Sequence, residues 1–544
     1  MRFLSVLLTG KASKLVSFFS MDFLLLFLPI GILGYSIFPK KAKRYFLLGY
    51  SYLFFAMISG KLVFYLLLTT FAMHYFGLWL DRIRMQKEAR LKEVAKEEKK
   101  AVKEEYRKKS CRVLVAAAVI QIGGLLVVKY SGFFLTNINT VLRFFKADFR
   151  FSIPHFLMPI GISFFTLQAV SYLIDVYHQT VEADENLFRL GLFISFFPQI
   201  VEGPICRYSQ TANQLWECGP ITYRNLTSGI QRILYGMMKK VVVADRLNPL
   251  IQKVFEEYSS FDGGMIALAS VCYTIQLYMD FSGAMDAVVG VSKIFGISMP
   301  ENFERPFFSK TISEFWKRWH ITLGTFFRDY IFYPVTMSKP MKKLTTNARK
   351  KLGNHFGPLL AGAVALFCVW FSNGLWHGAD WNYIFYGMYH FMWILLGNAI
   401  APAVRTVNTK LHIRSESPIY KGLQIIRTTV IVVIGELFFR AEGMKNGWNM
   451  FKILVTRFSL KSINDEMFQT LGVDYLDMAI VLVTLVIVLI VSILKEKGLL
   501  VREQISKKSV VIRWAIWYAL ILYIVIFGAY GFGYVPVDPM YAEF

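Results

Sequence analysis

Residues 478–494 read MAIVLVTLVIVLIVSIL, a run that contains no charged side chain. A helix of about 20 mostly apolar residues crosses the hydrocarbon core of a bilayer, so this run predicts a transmembrane helix. Similar runs recur along the 544 residues, at 21–38, 62–80, 113–135, 153–177, 356–371, 381–400, 428–439 and 514–530. Together with a hydrophobic share of 55%, they predict an all-α, multi-pass protein of the cell membrane.

The formal net charge of +24 comes largely from lysines and arginines that cluster between the apolar runs. This clustering is typical of the cytoplasmic loops of membrane proteins, and we expect no nucleic-acid partner. The basic segments are 40–44, 81–112, 339–351, 405–421 and 495–513. If all of them are cytoplasmic, both chain ends lie on the outer side, including an extracytoplasmic tail over 531–544.

We interpret 81–112 as a charged cytoplasmic helical insertion within a membrane domain that covers 21–544. The pairs Glu88/Lys92, Glu104/Lys108 and Glu105/Lys109 have the spacing that supports a solvated helix. A role in contacting lipid headgroups or a partner is the alternative. Residues 1–20 are interpreted as an amphipathic lead, and their lack of a small-residue cleavage pattern argues against a removable signal peptide.

Residues 189–333 differ from the simple apolar runs because proline, glycine and charged residues interrupt them. The interrupting residues are Pro198, Pro204, Gly283, Pro300 and Pro306, and the charged ones are Asp280, Asp286, Arg305 and Arg328. Irregular backbone and charge are tolerated at membrane depth where protein buries them or where they line a cavity. The sequence therefore predicts a chamber in this region.

His320 lies in a segment, 315–330, whose apolar residues recur at helical spacing. This spacing predicts one amphipathic helix on which His320 shares a face with Trp316, Leu323 and Phe327. An imidazole on such an apolar face is a candidate for acid/base chemistry. Arg318 is a supporting candidate. The alternative is a hydrogen-bonded core histidine.

His377 lies in the sequence NGLWHGADWN, residues 373–382, between two apolar runs. We expect the glycines on either side to let the backbone turn, and Asp380 to orient the imidazole ring if the local turn is helical. Asn373 and Trp376 are further supporting candidates, and a structural role is again the alternative. The remaining histidines are interpreted as structural or surface residues; they are His74, His155, His178, His355, His390 and His412.

Other kinds of chemistry lack their signatures in this chain. Its five cysteines show no CxxC spacing, and neither a Ser-His-Asp order nor a glycine-rich phosphate loop nor a metal-ligand cluster accompanies the histidines. We expect no metal and no tightly bound cofactor. Acyl transfer from a thioester to a hydroxyl fits, because it needs one base and polar groups for the developing oxyanion.

Several short motifs carry a resemblance to a known family: FPQIVEGPI at 197–205, DFSG at 280–283, RPF at 305–307, the 316–330 segment and LWHG at 375–378. From about residue 21 onward the chain resembles the membrane-bound O-acyltransferase family, and within it the bacterial alginate O-acetyltransferase branch. The resemblance implies a ring of about 11 or more transmembrane helices around a central funnel, with amphipathic and re-entrant helices. It also implies His377 as the catalytic residue, His320 as a second catalytic residue, and acetyl-CoA as the cytosolic donor.

The end of the sequence, MYAEF at 540–544, resembles the tail of the same branch, although Ala542 stands where an aromatic residue is usual. The resemblance makes Tyr541 a candidate acyl carrier, and anchoring at the outer interface is the alternative. The implied partners are membrane lipid and an extracytoplasmic SGNH-type acetyltransferase or esterase-like protein that modifies a polysaccharide or peptidoglycan. Two other functions stay open: D-alanyl transfer from a carrier protein to teichoic acid, and non-enzymatic transport.

Overall fold

The computed structural model describes residues 17–154 and 156–530, and nearly all of its regular structure is helical. Within these ranges the residues divide into two compact units, 17–230 with 287–300, and 231–286 with 301–530. Two helices, Tyr223–Met237 and Gly263–Ile294, pass from one unit into the other along the chain. The prediction of an all-α protein is confirmed.

The first unit consists mainly of helices. They are Asp22–Phe27, a π-helical turn that continues into Leu28–Ile37, then Lys40–Ser59, Gly60–Leu62, Val63–Glu93, Lys99–Leu125, Leu126–Tyr130, Ser131–Phe144, Ile162–Tyr177, Leu187–Ser195, Tyr208–Glu217 and the start of Tyr223–Met237. Its core is aromatic, with the Phe197 ring 5.5 Å from the Phe27 ring and 5.8 Å from the Phe54 ring. The FPQIVEGPI motif thus contributes to packing in this unit.

The second unit contains Met238–Ala244, Asp245–Glu256, Tyr258–Ser260, most of Gly263–Ile294, Pro306–Phe308, Ile312–Arg318, Ile321–Phe327, Arg328–Phe332, Tyr333–Met337, Lys339–His377, Trp381–Lys410, Pro418–Arg440, Gly443–Thr456, Asp465–Thr470, Tyr475–Glu496, Val501–Ser506 and Val510–Phe527. Its hydrophobic core runs through most of these helices, from Met238 to Ile524. The helix Lys339–His377 bends at Gly353, which has a φ of 77°, a conformation that glycine adopts without steric cost. The bend falls between the predicted basic segment 339–351 and the apolar run 356–371.

Eight helical segments among the described residues are long and apolar enough to cross a membrane, which agrees with a multi-pass membrane protein. They are Lys40–Glu93, Lys99–Phe144, Gly263–Ile294, Lys339–His377, Trp381–Lys410, Pro418–Arg440, Tyr475–Glu496 and Val510–Phe527, and Asp22–Ile37 and Ile162–Tyr177 are shorter apolar helices. The expected number of about 11 or more stays a prediction.

Three of the predicted segments differ from the structure. The basic residues 40–44 begin a further helix, Lys40–Ser59, which turns at Gly60–Leu62 into Val63–Glu93. The run predicted at 153–177 becomes helical only at Ile162, because Pro154 and Pro159 disfavour a helix before it. Gly283 does not interrupt its apolar stretch: the helix Gly263–Ile294 continues through it, and a side chain there would meet the carbonyl oxygen of Gly236 at 2.8 Å.

The charged segment 81–112 is mostly helical, as predicted. It forms the end of Val63–Glu93 and the start of Lys99–Leu125, joined by residues 94–98. Glu105 pairs with Lys109 at 2.7 Å, which confirms one predicted pair. Glu104 pairs with Arg107 at 2.6 Å. Its cytoplasmic location remains a prediction.

Several charged side chains in the second unit are buried and form ion pairs. Lys240 lies 2.7 Å from Asp280 and 3.1 Å from Asp245. Asp286 pairs with Lys239 at 2.5 Å and with Arg232 at 2.9 Å. Asp280 and Asp286 therefore stabilise contacts between helices, which explains how charge is tolerated in the apolar helix Gly263–Ile294.

Candidate active site

The predicted amphipathic helix around His320 is broken at that residue, so the prediction of one continuous helix is wrong. Ile312–Arg318 ends before Trp319, and Ile321–Phe327 begins after His320, whose φ of 45° is left-handed. The segment 302–304 supplies the reason: Glu304 N–H donates to the Arg318 carbonyl at 2.9 Å, and Ile321 N–H donates to the Asn302 carbonyl at 3.0 Å. These bonds replace those of a continuous helix.

Asn302 also fixes the ring of His320. Its side-chain oxygen accepts hydrogen bonds from the backbone N–H of Thr322 at 3.0 Å and from the Thr322 hydroxyl at 2.9 Å. The same oxygen lies 3.3 Å from Nδ1 of His320. Because that oxygen is an acceptor, Nδ1 carries the proton and Nε2 carries the lone pair of a base.

His320 lies outside the candidate spans and is 3% exposed. Burial lowers the pKa of its imidazole well below the ordinary value, and the nearby His377 lowers it further. A lowered pKa favours the neutral imidazole at pH 7. His320 is thus held in the form that accepts a proton.

His377 is the last residue of the helix Lys339–His377 and is 6% exposed. The helix continues through Gly374, so the expected turn comes after the histidine rather than on both sides of it. Aromatic rings surround the imidazole, with ring centres 5.0 Å away at Trp376, 5.2 Å at Phe439 and 6.1 Å at Tyr386. The ring is therefore held in an apolar environment.

The two histidines line one cavity of about 50 Å³. Its walls are Trp316, Trp319, His320, Leu323, Gly324, Phe327, Val369, Trp370, Asn373 and His377. The predicted face of Trp316, His320, Leu323 and Phe327 is confirmed here in spite of the helix break. The indole of Trp376 packs 5.5 Å from His320 as well as against His377.

Asn373 supplies a polar atom to the same cavity. Its side chain is 7% exposed, and its oxygen accepts no hydrogen bond from the described residues. A buried polar atom without a partner is costly unless a ligand or water meets it. Asn373 is thus placed where it can contact a reacting group.

Two sequence candidates, Arg318 and Asp380, do not line this cavity. Arg318 forms ion pairs with Glu314 at 2.9 Å and Glu496 at 3.1 Å. Asp380 is exposed and accepts a hydrogen bond from the backbone N–H of Trp381 at 2.5 Å, so it caps the helix Trp381–Lys410. Tyr541 lies outside the described residues.

Sequence reasoning missed a group of buried polar residues behind His377. Tyr386 donates a hydrogen bond to Glu436 at 2.7 Å, and His390, interpreted from the sequence as structural or at the surface, is fully buried with its ring 4.7 Å from Tyr386. One signal was available. Glu436 is the one acidic residue in the apolar run 428–439, and ionisable residues in such runs are rare without a task.

The chain is similar to a family of membrane-bound acyltransferases. Residues 184–349 match the model of the membrane-bound O-acyltransferase (MBOAT) family. The probable alginate O-acetylase AlgI of Pseudomonas aeruginosa is 30% identical over 437 residues, 80% of this chain and 74% of that protein. The peptidoglycan O-acetyltransferase of Helicobacter pylori is 28% identical over 465 residues, 80% and 78% of the two chains. The teichoic acid D-alanyltransferase of Bacillus subtilis is 32% identical over 246 residues, 44% and 58%.

Proposed function

Because the chain belongs to the membrane-bound O-acyltransferase family, and is thus a multi-pass membrane acyltransferase, we propose that it takes acetyl groups from cytosolic acetyl-CoA and passes them outward for O-acetylation of a cell-surface polysaccharide or peptidoglycan. The observation that carries this proposal is the cavity lined by His320, His377 and Asn373. Two imidazoles beside a polar amide in an aromatic enclosure supply the proton acceptors that acyl transfer requires.

His377 is the proposed general base. It removes the proton from the attacking hydroxyl, whose oxygen forms a new C–O bond with the acetyl carbonyl carbon. The C–S bond to coenzyme A breaks, and the proton passes from His377 to the departing thiolate. His320, with Nδ1–H directed at Asn302, lines the same cavity and is the proposed second proton acceptor, through its Nε2.

Tyr541 is the proposed first acceptor. A phenol, with a pKa of about 10, is a poorer leaving group than a thiol of pKa about 8.5 and a better one than a sugar hydroxyl. Transfer from thioester to Tyr541 and then to a sugar is therefore downhill at each step. An extracytoplasmic SGNH-type acetyltransferase or esterase-like protein is the proposed partner for the second step.

The sequence left three functions open: acetyl transfer, D-alanyl transfer and non-enzymatic transport. Family membership favours an enzyme over a non-enzymatic transporter. Acetyl transfer is supported by the names of the relatives in Pseudomonas aeruginosa and Helicobacter pylori, each of which aligns with 80% of this chain. D-alanyl transfer is the second candidate, because the Bacillus subtilis relative carries that name, but its alignment spans 44% of the chain.

The test is to purify the protein, incubate it with radiolabelled acetyl-CoA and map the covalent label by mass spectrometry. Variants His377→Gln and Tyr541→Phe accompany the wild type, and His74→Gln, a buried histidine of the first unit, serves as the matched control. We expect label on Tyr541 in the wild type and the control, and none in either test variant. Label from a D-alanyl carrier protein but not from acetyl-CoA would support the second candidate instead.

A further inference from the structure

Glu436 is an acidic residue buried inside a candidate membrane span. It belongs to the helix Pro418–Arg440 and is 1% exposed. Burying a carboxylate without a cationic partner is expensive, and within the described residues Glu436 forms no ion pair. Such a residue calls for a functional explanation.

Tyr386 connects Glu436 to His377. Oε1 of Glu436 accepts a hydrogen bond from the Tyr386 hydroxyl at 2.7 Å. The Tyr386 ring meets the His377 ring edge-on, with centres 6.1 Å apart and planes at 89°. A hydrogen bond to the hydroxyl holds the long axis of the phenol ring in place, so Glu436 helps to fix where the Tyr386 ring lies against the imidazole.

The same helix contacts His377 a second time. Phe439 follows Glu436 by three residues, which places both side chains on one face of the helix. Its ring lies 5.2 Å from His377 at 88° and 4.8 Å from Tyr386. The imidazole of His377 therefore contacts two rings that depend on this helix. Phe439 belongs to the same helix as Glu436, and Tyr386 is hydrogen-bonded to Glu436.

We infer that Glu436 is a positioning residue for His377, which acts by holding Tyr386 in the orientation that, with Phe439, fixes the imidazole for proton transfer. This inference rests on the proposed role of His377 as the general base. Glu436 itself touches neither substrate nor reacting atoms in this account. Its contribution lies in the hydrogen bond that it accepts.

The inference predicts different results for two substitutions of the same residue. Glu436→Gln keeps an oxygen that can accept from Tyr386, so it retains most of the wild-type kcat. Glu436→Ala removes that acceptor, and Tyr386→Phe removes the donor. We expect either of these to lower kcat by about 10- to 100-fold, because small misplacements of a catalytic group have effects of that size.

The experiment measures CoA release from acetyl-CoA by the purified full-length protein, with kcat and KM determined for each variant. Loss of positioning lowers kcat and leaves KM for acetyl-CoA unchanged, and the double variant Glu436→Ala/Tyr386→Phe loses no more than either single variant. Tyr523→Phe is the matched control, since its hydroxyl contacts the buried Thr484 at 2.8 Å. It should keep the wild-type kcat.

Three results would overturn the inference: an unchanged kcat in Tyr386→Phe, losses that add in the double variant, or a Glu436→Gln variant as impaired as Glu436→Ala. If Glu436→Ala fails to fold, the kcat values of Glu436→Gln and Tyr386→Phe still test the inference.

A second experiment, chemical modification of His377, does not need the acetyl donor. Diethyl pyrocarbonate modifies neutral imidazoles, and mass spectrometry should find His377 modified faster in Tyr386→Phe than in Tyr523→Phe. A wild type without CoA turnover would refute the proposed donor, whereas equal modification rates would refute the positioning.

Discussion

Ionisable side chains are buried in two contrasting ways within residues 231–286 and 301–530. Lys240 lies between Asp245 and Asp280, at 3.1 and 2.7 Å. Burial alone would lower the pKa of Lys240, but the two carboxylates raise it above the ordinary value, so the side chain stays charged. His377 instead lies among aromatic rings beside a cavity.

The difference separates a structural role from a chemical one. A buried cation that is paired with two carboxylates has its charge compensated and is committed to holding helices together. An imidazole that lines a cavity can exchange a proton with a molecule that enters it. Burial by itself therefore does not identify the site; the presence of a cavity beside the titratable group does.

Replacing His377 is expected to have the largest effect on activity. His377→Gln keeps a polar side chain of similar size but cannot act as a base, so kcat for acetyl transfer should fall by about 10²- to 10⁴-fold. The thermal unfolding midpoint in detergent should change little. If His377→Gln kept the wild-type kcat, His377 would have no chemical role, and its burial would not differ in function from that of Lys240.

Replacing Lys240 is expected to have the largest effect on stability. Lys240→Met leaves Asp245 and Asp280 without their shared cation, and such a loss costs about 3–5 kcal/mol. Denaturant unfolding in detergent measures this loss, with Lys421→Met as the control, because Glu416, the partner of Lys421, is largely exposed. A stability loss no greater than that of the control would contradict the structural role of Lys240.

Asn302→Ala tests whether the Asn302 side chain, which contacts both Thr322 and His320, is needed for stability and for activity. The substitution removes the oxygen that accepts from Thr322 and contacts His320. We expect a loss of about 1–3 kcal/mol, the cost of leaving a buried donor unsatisfied, together with a lower kcat. Unfolding and CoA-release assays measure the two effects, and a full kcat would show that the orientation of His320 is not required.

Asp380→Ala should have the smallest effect. It removes the capping contact to Trp381 N–H and should cost about 0.5–2 kcal/mol. Activity per folded molecule should stay at the wild-type level, because Asp380 is exposed and does not line the cavity. A large drop in kcat with normal stability would assign the ring-orienting role to Asp380 after all.

The sequence allowed prediction of those features that follow from local pattern. Apolar runs predicted helices such as Tyr475–Glu496, and unusual context singled out His320 and His377. The break at His320 was not predictable from its own segment, because residues 302–304 supply the hydrogen bonds that cause it. The contact of Tyr386 with Glu436 joins positions 50 residues apart, and no local periodicity indicates such a pair.

The most direct test of the account is single-turnover CoA release from acetyl-CoA by the wild type and by His377→Gln, both checked for equal unfolding midpoints. We expect rapid release by the wild type and at least about 100-fold slower release by the variant, which is the contribution expected of a general base. Equal rates in the two folded proteins would contradict the central claim that His377 carries the proton in acyl transfer.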